Sequence, residues 1–140
     1  MATSAKTLVT IKASINAPIE KVWKKWTSPD DITQWNNASD GWYTPRAEND
    51  LTAGGKFSYR MEAKDGSMGF DFRGVYNQVI IHKQIDCTLG DGRKMQVVFS
   101  AHGDKTEVVE TFETESTNSI ELQRNGWQAI LDNFKKFAER

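Results

Sequence analysis

Apolar and polar positions alternate with period two at the start of the chain. Val9, Ile11, Ala13 and Ile15 alternate with Thr10, Lys12 and Ser14, which predicts a half-buried strand over Thr7 to Ile15. The period then changes. Ile19, Val22, Trp23 and Trp26 follow i, i+3, i+4, i+7 and share one helical face, with Glu20, Lys21, Lys24 and Lys25 opposite. Asn16 is the expected cap of this helix, and Pro18 is compatible with its first turn. Ser28-Pro29-Asp30-Asp31 restarts a short helix with a cap, a proline at the first position and acids at the positive end of the dipole; Ile32 and Trp35 form its apolar side.

From Gly41 to Glu115 the pattern returns to period two, punctuated by turns. Trp42 to Glu48 reads as an edge segment broken by Pro45. Phe57, Tyr59 and Met61 share one face, as do Phe70, Phe72, Gly74 and Tyr76, and Ile85, Cys87 and Leu89. Met95, Val97, Phe99 and Ala101 line the next strand, and Val108, Glu110 and Phe112 the last. Gly54-Gly55, Asp65-Gly66, Asp91-Gly92 and Gly103-Asp104 supply the turns. Asn118-Ser119-Ile120-Glu121 reads as a capping box for a final helix of about 20 residues, roughly 30 Å long. Its predicted buried stripe is Ile120, Gln123, Trp127, Ile130, Leu131, Phe134 and Phe137. The element order is β-αα-β6-α, an α+β fold in which a mainly antiparallel sheet carries a long C-terminal helix across one face.

Composition narrows the function. A chain of 140 residues suits one domain, 1–140, with a core that needs no staples. Eighteen Lys+Arg balance 19 Asp+Glu, so the basic excess expected of a nucleic-acid binder is missing. Cys87 is the only cysteine, which excludes an internal disulfide and a cysteine-based zinc site. No apolar run exceeds three residues, as at Val79-Ile80-Ile81, too short for a membrane span, and the opening MATSAKTLVT lacks the apolar stretch of a signal peptide. Together these point to the cytosol, where the Asn37-Ala38-Ser39 sequon carries little meaning. His82 and His102 have no metal-ligand spacing. Gly54-Gly55-Lys56 is not a P-loop, since Asp50 and Phe57 stand where glycine and Ser/Thr are required. No cofactor motif is found, so neither metal nor cofactor is expected.

Three features carry chemistry. Glu110 sits between Val108 and Phe112 on an inward face, where a carboxylate must be paired, hydrogen-bonded or neutralised. Arg60 or Arg73 could satisfy it, a slip of register could expose it, or it could orient a ligand or act as an acid/base. Five Trp, seven Phe and three Tyr give a core of large flat walls that either interdigitate or leave a void between helix and sheet. Gly126 interrupts a strong helix at a cost of about 1 kcal/mol relative to alanine, explained by a close approach, by room beside Trp127, or by simple tolerance at a surface.

The sequence resembles the AHSA-type domain, homologues of the activator of the heat-shock chaperone ATPase, within the START-like, SRPBCC helix-grip superfamily. The resemblance runs over nearly the whole chain. It includes APIEKVWKKWTSPD at Ala17 to Asp30, Trp35, the DLxxGGKF segment at Asp50 to Phe57, FRGVY at Phe72 to Tyr76, ETF at Glu110 to Phe112 and QRNGWQAILDNF at Gln123 to Phe134. It implies a seven-stranded antiparallel sheet curled around the C-terminal helix, with two short helices closing one end. It also implies a hydrophobic cavity for a lipid, sterol, polyketide-like or aromatic ligand. Trp42, Phe57, Tyr59, Phe72, Met95, Phe99, Trp127 and Leu131 fall where cavity walls are expected, with Glu110 or Tyr59 setting ligand orientation. The family offers no universal catalytic residue to carry over. The expected function is a binding module for a small hydrophobic or aromatic ligand. The alternatives are a cyclase, dehydratase or hydrolase using Glu110, and a chaperone-regulating, stress-response interaction domain. The namesake couples this domain to a second, N-terminal one, for which a chain beginning at the first strand leaves no room.

Overall fold

The structure, a computed structural model, describes residues 7–140; the opening MATSAK, part of the stretch read above for a leader, lies outside them. The elements are β1 (Leu8–Ile15), α1 (Ile19–Thr27), α2 (Pro29–Trp35), β2 (Trp42–Asn49), β3 (Lys56–Ala63), β4 (Gly69–Ile80), β5 (Gln84–Leu89), β6 (Lys94–His102), β7 (Lys105–Glu113) and α3 (Ile120–Ala138). The seven strands form one antiparallel sheet in the order β1-β7-β6-β5-β4-β3-β2. The two short helices carry the chain from one edge to the other, and a meander from β2 brings it back to β1. The sheet curls as a half-barrel against α3, which is the α+β helix-grip architecture.

The edges explain how α3 is seated. β1 is an edge strand, and its outward carbonyls need donors. Arg124, Gln128 and Lys135, on one side of α3, donate to the carbonyls of Thr10, Lys12 and Ser14 at 3.4, 3.4 and 2.6 Å. The helix therefore lies along β1 and against α1 and α2. Among the described contacts it reaches the far wing of the sheet through Trp127, whose ring meets Phe72 of β4 edge-on at 6.0 Å. The opposite edge, β2, is irregular at Pro45, with a register shift between Tyr43 and Arg46.

Several local expectations are corrected. Asn16 does not cap α1: Pro18 occupies that position, and the Asn16 backbone N–H donates instead to Glu139 at the end of α3. Ser28 precedes α2 as expected, but its carbonyl rather than its hydroxyl accepts the first helical N–H groups. The cap of α3 is Ser119, which accepts from the Leu122 N–H at 3.0 Å, so the box framed on Asn118 and Glu121 is out by one residue. Ile120, at the helix start, is 42% exposed and leaves the buried stripe. Ala101, at the far end of β6, is also exposed.

Two glycines differ in kind. A Cβ on Gly74 would lie 2.6 Å from the Thr88 carbonyl oxygen and 2.8 Å from the Phe57 ring, which rests across this position of β4. A Cβ on Gly126 would meet nothing within 4 Å. Of the readings open for Gly126, the close approach is therefore removed. Gly126→Ala is expected to raise unfolding free energy by about 0.5–1 kcal/mol, measured by urea titration.

Candidate functional site

The inner face of the sheet is arranged in rows by its register. Ile11, Glu110, Val97 and Ile85 stand side by side on β1, β7, β6 and β5. The next row runs Val9, Phe112, Met95, Cys87 and Tyr76. Beyond it Phe57 covers Gly74, and Tyr59 pairs with Phe72. Because α3 is drawn toward β1, the space over β3 to β6 is left unfilled. A cavity of about 330 Å³ occupies it, within the range of small-molecule sites. The exposed Phe70 and Asn118 are among its lining residues and place its mouth between the start of β4 and the loop before α3.

Six of the residues expected in the walls are there: Phe57, Tyr59, Phe72, Met95, Glu110 and Trp127. Three are not. Trp42 packs edge-on against Phe70, 6.0 Å between ring centres, outside the lining. Phe99 lies under α1, with Trp23 at 5.2 Å and Trp26 at 5.8 Å, so its ring is consumed by aromatic packing. Leu131 is wholly buried in the core. The walls also contain residues the sequence reading did not assign to them: Trp26, Trp35, Tyr76, Ile85, Val97 and Ile130. Trp26 and Trp35 contact each other at 4.9 Å and both contact Phe134, which seats them at the end closed by the short helices.

Trp127 is fixed by two rings. One face stacks on Phe112 at 4.0 Å and 11° between planes, while Phe72 meets it edge-on. Phe57 lies 5.4 Å from Tyr59 and 5.0 Å from Tyr76. The Tyr76 hydroxyl accepts from Asn49 Nδ2 at 3.3 Å, and the same amide donates to the Thr27 carbonyl at 2.8 Å, linking β4 to the end of α1. Burial raises the Tyr59 hydroxyl well above its ordinary value, with the neighbouring Tyr76 adding to the shift. Burial raises Tyr76 too, so both remain phenols at neutral pH. Burial also pushes the Cys87 thiol up to about 12, which makes it a wall atom rather than a nucleophile.

Glu110 is different. It is 6% exposed, lines the cavity, and takes part in no hydrogen bond or ion pair among the described residues. Neither arginine considered for it is near. Arg60 pairs with Glu62 at 2.9 Å and Asp71 at 3.5 Å, and Arg73 is exposed beside Gly90. The register holds Glu110 inward between Ile11 and Val97. Removal from water, with no compensating cation, pushes its carboxyl up to about 8. At the mouth, Arg93 is held by Asp91 at 2.8 Å and by the Glu113 carbonyl at 3.4 Å. Buried Gln123 donates to the carbonyls of Glu115 and Asn118 and accepts from the Glu115 N–H, fixing the loop that frames the opening. Among the described residues no group of three or more His, Cys, Asp or Glu is placed to hold a metal ion.

Residues 16–139 match the family model described as activator of Hsp90 ATPase homolog 1-like protein, AHSA1. The chain belongs to the AHSA1 family. Its fold recurs in the solution structure of an AHSA1-like protein from Aeromonas hydrophila, 42% identical, with a TM-score of 0.89 over 95% of this chain and 92% of that one. It recurs also in Chr148 from Cytophaga hutchinsonii, 53% identical, with a TM-score of 0.82 over 94% and 91% of the two chains. CalU16 from Micromonospora echinospora, 19% identical with a TM-score of 0.69 over 94% of this chain and 75% of that one, shares the fold alone. No curated protein matches the sequence. In this AHSA1 domain, then, the fold is that of the START-like helix-grip group, with a ring-walled cavity between α3 and the sheet.

Proposed function

We propose that this AHSA1-family protein is a binding module for a small hydrophobic or aromatic molecule, lodged between α3 and the sheet. The supporting observation is the cavity of about 330 Å³, walled by aromatic rings and opening beside Phe70. Burying about 200–300 Å² of ligand surface contributes on the order of 5–7 kcal/mol before entropy costs. That supports weak to micromolar binding, and so an exchangeable ligand rather than a permanent one. The reading places the protein in the cytosol; no helix among the described residues is long and apolar enough to cross a membrane.

A second reading is favoured by one observation. Glu110 faces the cavity with no arginine among the described residues to seal it, and burial pushes its carboxyl up to about 8, the direction an acid in a cyclase or dehydratase needs. Regulation of a chaperone rests on the family description.

Fluorescence titration with N-phenyl-1-naphthylamine, a neutral apolar dye, tests the binding reading. Saturable enhancement at micromolar dye, with quenching of tryptophan emission, is the expected result. A linear, non-saturating signal contradicts it.

A further inference from the structure

We propose that the cavity's ligand is a small organic cation, an ammonium on an aromatic or alkyl body, held with its charge against Glu110. The inference rests on the binding reading above and specifies its ligand. It starts from an imbalance in the site. Glu110 is buried and aimed into a ligand-sized space, yet no donor among the described residues reaches it. A carboxyl so placed gains a charged partner only from what enters the cavity. The ionisable groups around it are known from every wall. β3 brings Tyr59, β4 Tyr76 and β5 Cys87, all protonated acids at neutral pH. The β5–β6 turn brings Arg93, already held by Asp91 and the Glu113 carbonyl, and the loop before α3 brings Glu115. The wall residues of α1, α2 and α3 include no ionisable side chain.

The rings supply the second argument. Trp127, Phe72, Phe57 and Tyr59 present aromatic surface to the same space. Ring faces are negative and attract a cation within about 6 Å, most strongly when water is excluded. A box of rings with one carboxyl suits an ammonium. A carboxylate ligand is repelled by the negative ring faces, and meets Glu110 as a like charge once that carboxyl ionises. A neutral carbonyl ligand would use the carboxyl as a donor but gain no cation–π attraction from the ring faces.

The proton balance makes the proposal measurable. In the empty site Glu110 holds its proton up to about pH 8. Binding an ammonium requires the carboxylate, so the carboxyl proton is released to solvent as the ion pair forms. Amine affinity therefore rises with pH by up to tenfold per unit until about pH 8. It falls again only when the amine itself deprotonates, near pH 10 for an alkylamine.

The test is isothermal titration of the full chain with 2-phenylethylamine and its neutral isostere 2-phenylethanol. It is run from pH 6 to 8.5 in buffers of different ionisation enthalpy, on wild type and Glu110→Gln. We expect tighter binding of the amine at pH 8, release of about one proton per amine at pH 7, and at least a tenfold loss of amine affinity in Glu110→Gln at pH 8. The alcohol should bind both proteins within twofold, which also shows that the variant is folded. Three results would each overturn the proposal: alcohol binding as tight as amine binding, amine binding without proton release, or undiminished amine affinity in Glu110→Gln. In all three the binding reading survives, because a guest still enters. If neither probe binds, the proposal fails; exclusion of N-phenyl-1-naphthylamine as well would remove the binding reading with it.

Discussion

Replacing Ile130 with tryptophan is expected to weaken capture of an apolar probe by roughly a hundredfold, about 2.7 kcal/mol, while leaving the protein folded. Ile130 is half-buried on α3 and faces the cavity one helical turn from Trp127. Its side chain can grow only into that space, because the sheet wing opposite is separated from α3 there. An indole placed in it takes the volume a ligand needs. It also gives the surrounding rings partners they otherwise lack, so added dispersion contacts offset the strain of a larger side chain. Unfolding free energy should change by less than about 1 kcal/mol. Ile81→Trp is the control. Ile81 is 66% exposed in the β4–β5 turn, and its substitution should leave probe affinity unchanged. Equal affinities of Ile130→Trp and wild type for N-phenyl-1-naphthylamine would mean that the dye binds elsewhere.

Glu110 should dominate the pH dependence of stability. Its folded value, about 8, lies above the unfolded carboxyl value of about 4.3. Between those values the native state keeps the proton and the unfolded chain has lost it. The unfolded state then binds fewer protons, so stability falls as pH rises, by about 1.4 kcal/mol per unit for this one group. The loss begins near pH 4.3, is complete near pH 8, and amounts to on the order of 5 kcal/mol, a large share of a typical domain's stability. Glu110→Gln keeps the shape of the protonated acid and cannot ionise. Urea unfolding should show the two proteins alike near pH 4.5 and the variant several kcal/mol more stable at pH 8.5. Parallel stability curves for the two proteins would show that Glu110 ionises freely in the native state.

The elements were largely legible because period-two and period-3.6 patterns report which side of a strand or helix meets the core. That is how Glu110, bracketed by Val108 and Phe112, could be placed inward from sequence. What pattern cannot report is whether an inward ring meets a neighbour or a void. Phe99 and Met95 share one face of β6, yet the short helices cover Phe99 while Met95 remains in the cavity wall. Leu131 and Ile130 are adjacent on α3, yet Leu131 is wholly buried and only Ile130 lines the cavity. The helix lies along β1, where the edge-strand carbonyls accept from Arg124, Gln128 and Lys135. Tyr76 was visible as inward, but its hydroxyl is positioned by Asn49 and, through it, the end of α1, a contact across 27 residues. Trp35 is buried core and Trp26 is partly buried against it, and both also line the closed end of the cavity. The one-residue shift of the α3 cap has a simpler cause: Asn118 and Ser119 are both good caps, and the backbone used the second.

Methyl-resolved NMR on the isotope-labelled 140-residue chain, titrated with a panel of small aromatic and aliphatic compounds, tests the central claim most directly. An accessible space between helix and sheet predicts saturable shifts at the methyls of Met61, Ile85, Met95, Val97 and Ile130, which line it. Shifts confined to the exposed Leu8, Met68, Ile81 and Leu122, with the interior methyls unmoved by every compound, would contradict it.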